Sequence, residues 1–390
     1  MQANYEKHVI VYVSGHTVEK GTAGHTHVME VIRRLRKRGH EVRLVAVDYR
    51  GERPTVARRV AAILGVQLRA AFRLIASKLS GERSVAYVRY HPLMPLPTIA
   101  AKLLRVPALL EVNGRPDDFT ELWAPSKFVA GVISHTIKAS LRAASSIIVV
   151  AEGLSQYLRD NFELQKTPVH VVHNGVNTDL FRPLSRAESR RKLGLRQDVR
   201  IVTYVGALAS PRGLDTFLQA WRSLVSNYRH GLEALVVGGG ATRNDIEKVL
   251  VEQGFDKQIK LVGQVPAEEV PDYICSADVC VAPYANCLSN ASGQSPLKVY
   301  EYLACARPAV ASDFPWTSEI LREGPCGLTT EPGNPVALSQ ALLTLLENPA
   351  EAEQMGRRGR ELVEKRFTWD ITIDKIVDIM TEMTTGKKGC

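Results

Sequence analysis

The sequence predicts an α/β protein of two doubly wound, Rossmann-like parallel sheets, and three observations carry that reading. Short apolar runs of strand character alternate with helical patterns along the chain, the series restarts once after a charged stretch, and 390 residues suffice for two domains that each bury a core. Runs that stay apolar at successive positions belong to strands covered on both faces, as in parallel sheets flanked by helices.

The first series runs HVIVYVS from His8, EVRLVAV from Glu41, SVAYVRY from Ser84, VPALLEV from Val106, SIIVVAE from Ser146 and VHVVHNG from Val169. The second runs RIVTYVG from Arg200, LEALVVGG from Leu232, IKLVGQV from Ile259, VCVAPY from Val279 and RPAVASD from Arg307. Between them PLSRAESRRKLGLRQD, residues 183–198, has the polarity of a linker or linker helix. The expected division is therefore a first domain over 1–182, the linker, a second domain over 199–366, and a C-terminal helix over 367–390 that returns to the first, anchored by Phe367 and Trp369 of FTWD. Open parallel sheets bind ligands outside the carboxyl ends of their strands, so two sheets facing across a cleft are expected to hold the site there.

Composition narrows the compartment and the partners. No uninterrupted apolar run approaches the roughly 18 residues that cross a bilayer, and the opening MQANYEKHVIVYVSG carries an acid and leads into a strand. An untargeted cytoplasmic chain is expected. The six cysteines, Cys275, Cys280, Cys287, Cys305, Cys326 and Cys390, form no C-x-x-C pair and are expected as reduced, mostly buried thiols. No D-x-D triplet occurs. The formal charge of +9 is uneven: residues 1–180 hold 25 Lys and Arg against 15 Asp and Glu, and the remainder 25 against 26. An anionic partner for the first domain follows. Nucleic acid is disfavoured, because no basic run is interleaved with aromatics.

Residues 55–79 form a helical pattern with Val60, Leu64, Leu68, Phe72, Ile75 and Leu79 on one face and Arg58, Arg59, Arg69 and Arg73 roughly opposite. Two readings stand: a packed helix with a solvated back, or an interfacial helix that brings the chain to the inner face of an anionic membrane.

The segment SPLKVYEYLACARPAVASD, from Ser295, joins a turn, a helix and a strand. Pro296 is expected in the first helical turn behind Ser295, leaving backbone N–H groups free to meet an anion. Lys298 adds a cation there. Glu301, one turn later on the same face, would repel a phosphate unless it serves another group, such as ribose hydroxyls; a solvated Lys–Glu pair on a surface helix is the plainer alternative. Arg212 in GALASPRGLDTF and the glycine-rich loop through Gly24 and His25 are further anion candidates, though the latter fits neither a dinucleotide fingerprint nor a P-loop. VVGGG, residues 236–240, has the look of a plain tight loop.

Taken in order, these segments resemble the family 4 retaining glycosyltransferases of the GT-B fold. The resemblance covers nearly the whole chain. It rests on GTAGHTHV with RGHEV, on HNGVNTDLFRP from His173, on YVGALASPRGLDT from Tyr204, on ADVCVAPY from Ala277, on SPLKVYEYLA and on the terminal FTWD. It implies transfer of a hexose from a UDP- or GDP-sugar to a glycolipid, polysaccharide or other glycan, with retention, with no metal and with no cofactor beyond the nucleotide sugar. A nucleotide-sugar 2-epimerase and a non-catalytic nucleotide-binding homologue are the alternatives.

The donor residues it implies begin at Gly24 and His25 and continue through Gly206, Arg212, Gly263 and Val265. They end on the run Gly293, Gln294, Ser295, Pro296, Leu297 and Lys298, with Glu301 on the ribose. Arg89, Asn113 and His27 fall on the acceptor side, with a structural histidine as the other reading of His27. Arg212, Lys298 and Asn113 are the expected catalytic groups. Three positions depart from the family pattern: Gly293 stands where the first glutamate of E-x7-E is usual, Ala207 where an arginine is usual, and Asn113 where many relatives carry a histidine. Lys298 is expected to replace the cation missing at Ala207.

Overall fold

In a computed structural model of the chain, residues 7–17, 23–47, 55–118, 126–287 and 293–386 are described. Gly21 of the first loop and Cys390 lie outside them. Two compact units emerge: Met1–His173 with Trp369–Cys390, and Asn174–Thr368.

The first unit holds β1 (Val9–Thr17), β2 (Glu41–Val47), β3 (Ser84–Arg89), β4 (Ala108–Val112), β5 (Ser146–Val149) and β6 (Val169–Val171), in the order β2-β1-β3-β4-β5-β6. Every pair is parallel. Winding reverses between β1 and β3. Successive strand residues feed opposite cores: Val11, Val13, Ala86 and Val88 pack with α2 (Val56–Leu79), α3 (Leu96–Leu103), α4 (Lys127–Ala143) and α5 (Glu152–Phe162), while Ile10, Tyr12, Val85 and Tyr87 pack with α1 (Ala23–Lys37) and the terminal helix Trp369–Thr385. Both sets are apolar, as strands covered on both faces require.

Helix α2 departs from its plainer reading. The face it buries is Ile63, Val66, Ala70 and Leu74, whereas Val60, Leu64, Leu68, Phe72, Ile75 and Leu79 are exposed. Taken as a whole, the helix is also long and apolar enough to cross a membrane by length and composition, which a search for uninterrupted apolar runs overlooks because arginines punctuate it.

The second unit holds β7 (Arg200–Val205), β8 (Leu232–Val237), β9 (Ile259–Gly263), β10 (Val279–Ala282), β11 (Ala309–Ser312) and β12 (Gly327–Thr330), ordered β12-β11-β10-β7-β8-β9. The short edge strand β12, with the sequence GLTT, has no apolar run to betray it and was not anticipated. Segment 183–198 is no free linker. Its helix α6 (Arg186–Lys192) is tied to the second unit by Arg190, which donates from Nε to the Ser276 carbonyl (2.9 Å) and from Nη2 to Asp278 (2.7 Å). Arg360 likewise donates to the Phe181 carbonyl at 2.7 Å, so residues expected in the first domain up to 182 fold with the second from Asn174 onward.

The FTWD segment straddles the boundary. Phe367 stacks on Tyr300 at 4.8 Å within the second unit, and Trp369 meets His27 edge-on at 5.1 Å within the first.

Candidate functional site

In the second sheet the winding reverses between β7 and β10, and there the two strands part. They pair only at Val279 with Val202 and Cys280 with Thr203. Beyond that point the Tyr302 hydroxyl replaces the ladder, accepting from the Val205 N–H at 2.9 Å and donating to the Val281 carbonyl at 3.2 Å. Tyr302 lies on α10 (Leu297–Ala304). A crevice at the carboxyl ends of strands where their order reverses is the general ligand position of open α/β sheets.

Lys298 and Arg212 bring positive charge to it. Lys298 Nζ is buried without a hydrogen-bond partner among the described residues, 4.1 Å from the Tyr204 ring centre and 5.2 Å from that of Tyr284. It also presses on the loop after β7, since a Cβ placed on Gly206 would lie 2.9 Å from it. Arg212 donates from Nη1 to Gln294 Oε1 at 3.2 Å. It is placed by the turn Ser210–Arg212, which ends on Gly213 at φ +68, where a Cβ would fall 1.5 Å from the Pro283 carbonyl oxygen. Only glycine fits there.

The electrostatics leave both charges on α10 unsatisfied. Burial, reinforced by the Arg212 charge, pushes the Lys298 ammonium well below the usual lysine range, against the partial pull of Glu301. Burial raises Glu301 from 4.5 to about 7, with Lys298 offsetting only part of the shift. A diphosphate would give the ammonium its missing acceptors, and ribose hydroxyls would give the carboxylate donors.

The remaining expected donor residues of this unit lie on the same rim. Gly263 closes β9 and Val265 follows it; Gly293, Gln294, Ser295 and Pro296 form the entry to α10. One detail is corrected: Pro296 is the N-cap and Leu297 the first helical residue, so Ser295 does not cap the helix. Gly293 sits at φ +100, a backbone state that glycine adopts freely and glutamate does not. VVGGG is a tight loop, as expected, with the Gly206 N–H donating to the Val237 carbonyl at 2.9 Å.

Gly24, His25, His27, Arg89 and Asn113 belong to the first unit. Gly24 and His25 open α1, and the Gly24 carbonyl accepts from Arg89 Nη1 at 3.3 Å. Glu111, at the end of β4, binds His27 Nε2 at 2.6 Å, Asn113 Nδ2 at 2.6 Å and the Tyr87 hydroxyl at 2.8 Å. Burial alone would raise this carboxyl, but His27, Arg89 and Asn113 together hold it well below the usual carboxylate range. His27, expected on the acceptor side, is buried between Glu111 and Trp369, which is the structural role. Asn113 Oδ1 is buried and has no hydrogen-bond partner among the described residues.

Sequence reasoning missed Glu111 and the tyrosines Tyr204, Tyr284 and Tyr302. A carboxylate inside the apolar run ALLEV was the available signal for the first; for the tyrosines, side-chain direction decides, and no spacing encodes it. A depression of about 790 Å³ at the amino ends of β7 and β8 also gathers arginines, but Arg186, Arg190 and Arg200 there all converge on Asp278. It stands at the opposite edge of the sheet from the crevice.

Comparison with known proteins agrees with this geometry. The family model "Glycosyltransferase Family 4" matches residues 24–180, and "Glycosyl transferases group 1" matches residues 199–348. The chain belongs to the family 4 glycosyltransferases. A D-inositol 3-phosphate glycosyltransferase of Thermobispora bispora is 27% identical over 235 residues, which is 57% of this chain and 53% of that protein. The chain thus spans about half the length of that curated relative. Among solved structures, sucrose-phosphate synthase from Thermosynechococcus elongatus has a TM-score of 0.78 at 20% identity, covering 98% of this chain and all, 100%, of that one. Anabaena Alr3699/HepE in complex with UDP-glucose has a TM-score of 0.71 at 14% identity, covering 96% and 100%. These likenesses show the fold, the two doubly wound sheets of the GT-B class.

Proposed function

We propose that this family 4 glycosyltransferase moves a hexose from a UDP- or GDP-sugar to a glycan or lipid-linked acceptor, with retention and without a metal ion. The observation that carries the reading is Lys298 Nζ, buried, without a hydrogen-bond partner among the described residues and beside Arg212 at the reversal point of the second sheet. Such a group is costly until an anion meets it.

In this reading Lys298 and Arg212 neutralise the diphosphate as the bond to the anomeric carbon breaks, and Glu301 accepts the ribose hydroxyls. The acceptor hydroxyl attacks the same face of the sugar and its proton passes to the departing phosphate oxygen. Asn113 and Arg89, both in the first unit, are assigned to the acceptor. Gly293 leaves no side chain where the family usually has a carboxylate, so backbone groups from Gln294 to Pro296 bind the sugar. That same glycine favours, as a second reading, a homologue that binds nucleotide without turnover.

A thermal-shift panel of UDP, GDP, ADP and CMP on the wild type and on Glu301→Ala tests the donor assignment. A ligand at 100 times its Kd stabilises by about 2.7 kcal/mol. Stabilisation by UDP or GDP that the variant loses supports the proposal; no stabilisation by any of the four refutes it. Product analysis with the matching sugar nucleotide then separates transfer from epimerisation, which needs no acceptor, and from binding alone. The same assay with a chelator tests metal independence.

A further inference from the structure

We infer that the outer face of α2 is a docking surface for an anionic membrane. Four of its large apolar side chains stand well out of the fold: Leu64 is 54% exposed, Leu68 65%, Phe72 70% and Leu79 82%. With Ile75, also exposed, they recur every three or four residues and form a stripe along a helix about 35 Å long. Isolated exposed leucines are ordinary, but a continuous stripe of this length is not.

Charge selects the occupant. The 24 residues of α2 hold four arginines and one lysine and no Asp or Glu. Arg69 and Arg73, expected roughly opposite the stripe, border it instead and line one groove with Leu68 and Phe72, and no ion pair holds either among the described residues. Arg69 is occupied only by backbone carbonyls of Gly65 and Ala46, at 3.3 and 3.2 Å. Beside them a groove of about 940 Å³ runs between α2 and the edge strand β2, floored by Leu44, Val45 and Val47. An apolar band flanked by unpaired cations matches a bilayer surface, with acyl chains under the stripe and anionic headgroups at the arginines. A second copy of the chain fits less well, since a two-fold contact along this helix would bring the same arginines together. Crossing the bilayer is excluded by the inner face, because Ile63, Val66, Ala70 and Leu74 form part of the core. The helix therefore lies in the interface plane while remaining packed in the fold.

This inference is independent of the transferase reading, and its test needs no sugar. The purified full chain is sedimented with phosphatidylcholine vesicles and with vesicles that also contain phosphatidylglycerol, at low and high salt. The wild type is expected to sediment with the anionic vesicles alone and to be released by salt. Arg69→Gln with Arg73→Gln should weaken binding by roughly fivefold per charge removed, and Leu68→Ser with Phe72→Ser by at least about tenfold. All four positions are on the helix surface, so melting temperatures should match the wild type. Equal recovery on neutral and anionic vesicles, or undiminished binding by the serine pair, would overturn the proposal. So would a wild-type dimer in size-exclusion chromatography that the serine pair converts to a monomer, because that result assigns the face to a second copy.

Discussion

Replacing Lys298 with methionine should raise the stability of the unliganded protein while weakening nucleotide binding. Lys298 Nζ is buried with no hydrogen-bond partner, beside Arg212. A buried polar group left unsatisfied costs about 1–3 kcal/mol, and a charged one more. The Tyr204 ring, 4.1 Å away, returns part of this as a cation–π contact of about 0.5–2 kcal/mol. The cost wins, because the depressed lysine pKa means that the folded protein holds this proton less firmly than the unfolded chain does. Lys298 therefore subtracts stability at every pH below the usual lysine range. Methionine keeps the length and apolar contacts without the charge, so a gain of about 1 kcal/mol is expected, a rise in melting temperature of roughly 2–4 °C. With UDP or GDP, whichever stabilises the wild type, the sign reverses. A lost charge-assisted hydrogen bond of about 1.5–3 kcal/mol weakens binding by roughly ten- to a hundredfold. Calorimetric titration beside thermal melts reads both quantities. A methionine variant less stable than the wild type that binds nucleotide undiminished would refute the reasoning, since Lys298 would then be a structural cation.

Three further outcomes follow from the same geometry. Glu301 titrates at about 7 when folded against 4.5 in its usual state, so its contribution is fully present below about pH 4.5 and is lost as pH rises through 7. The unliganded wild type should lose up to about 3 kcal/mol relative to Glu301→Gln across that window, less to the extent that the side chain is wetted, and parallel pH profiles would contradict the assignment. Tyr302→Phe strips the Val205 N–H of its partner at the point where β7 and β10 part, and should cost about 1–3 kcal/mol in denaturant unfolding and reduce the nucleotide-induced shift; a neutral substitution would show that water takes over that bond. Glu111→Ala leaves His27 without its buried partner, for an expected loss of about 3–5 kcal/mol, while the nucleotide-induced shift, which belongs to the other unit, should persist.

How much of this was legible in the sequence depended on whether the backbone or the side-chain direction decides. Eleven of the strands were visible as largely apolar runs, because a parallel strand covered on both faces is apolar at successive positions; β12 was not, since an edge strand spelled GLTT is only half-buried and needs no such run. Arg212, Lys298 and Glu301 could be named from strand–turn–helix order together with the family resemblance, since the helix pattern by itself left a solvated Lys–Glu pair open. What the sequence did not carry is what each charge meets there. The Tyr204 and Tyr284 rings around Lys298 depend on how two strands splay, and the splay itself depends on a hydroxyl reaching in from α10. Helix α2 makes the same point from the other side. Its periodicity contains two apolar faces, Ile63–Val66–Ala70–Leu74 and Leu64–Leu68–Phe72–Ile75, and nothing in the helix alone says which one the sheet will cover. The sheet covers the face of smaller residues, which lets the helix approach β1 and β2 closely and leaves the bulkier leucines and Phe72 outward. An apolar face that the fold could have buried but does not is the feature that the sequence pattern could only pose as a choice, and it becomes a functional statement once the packing has made that choice.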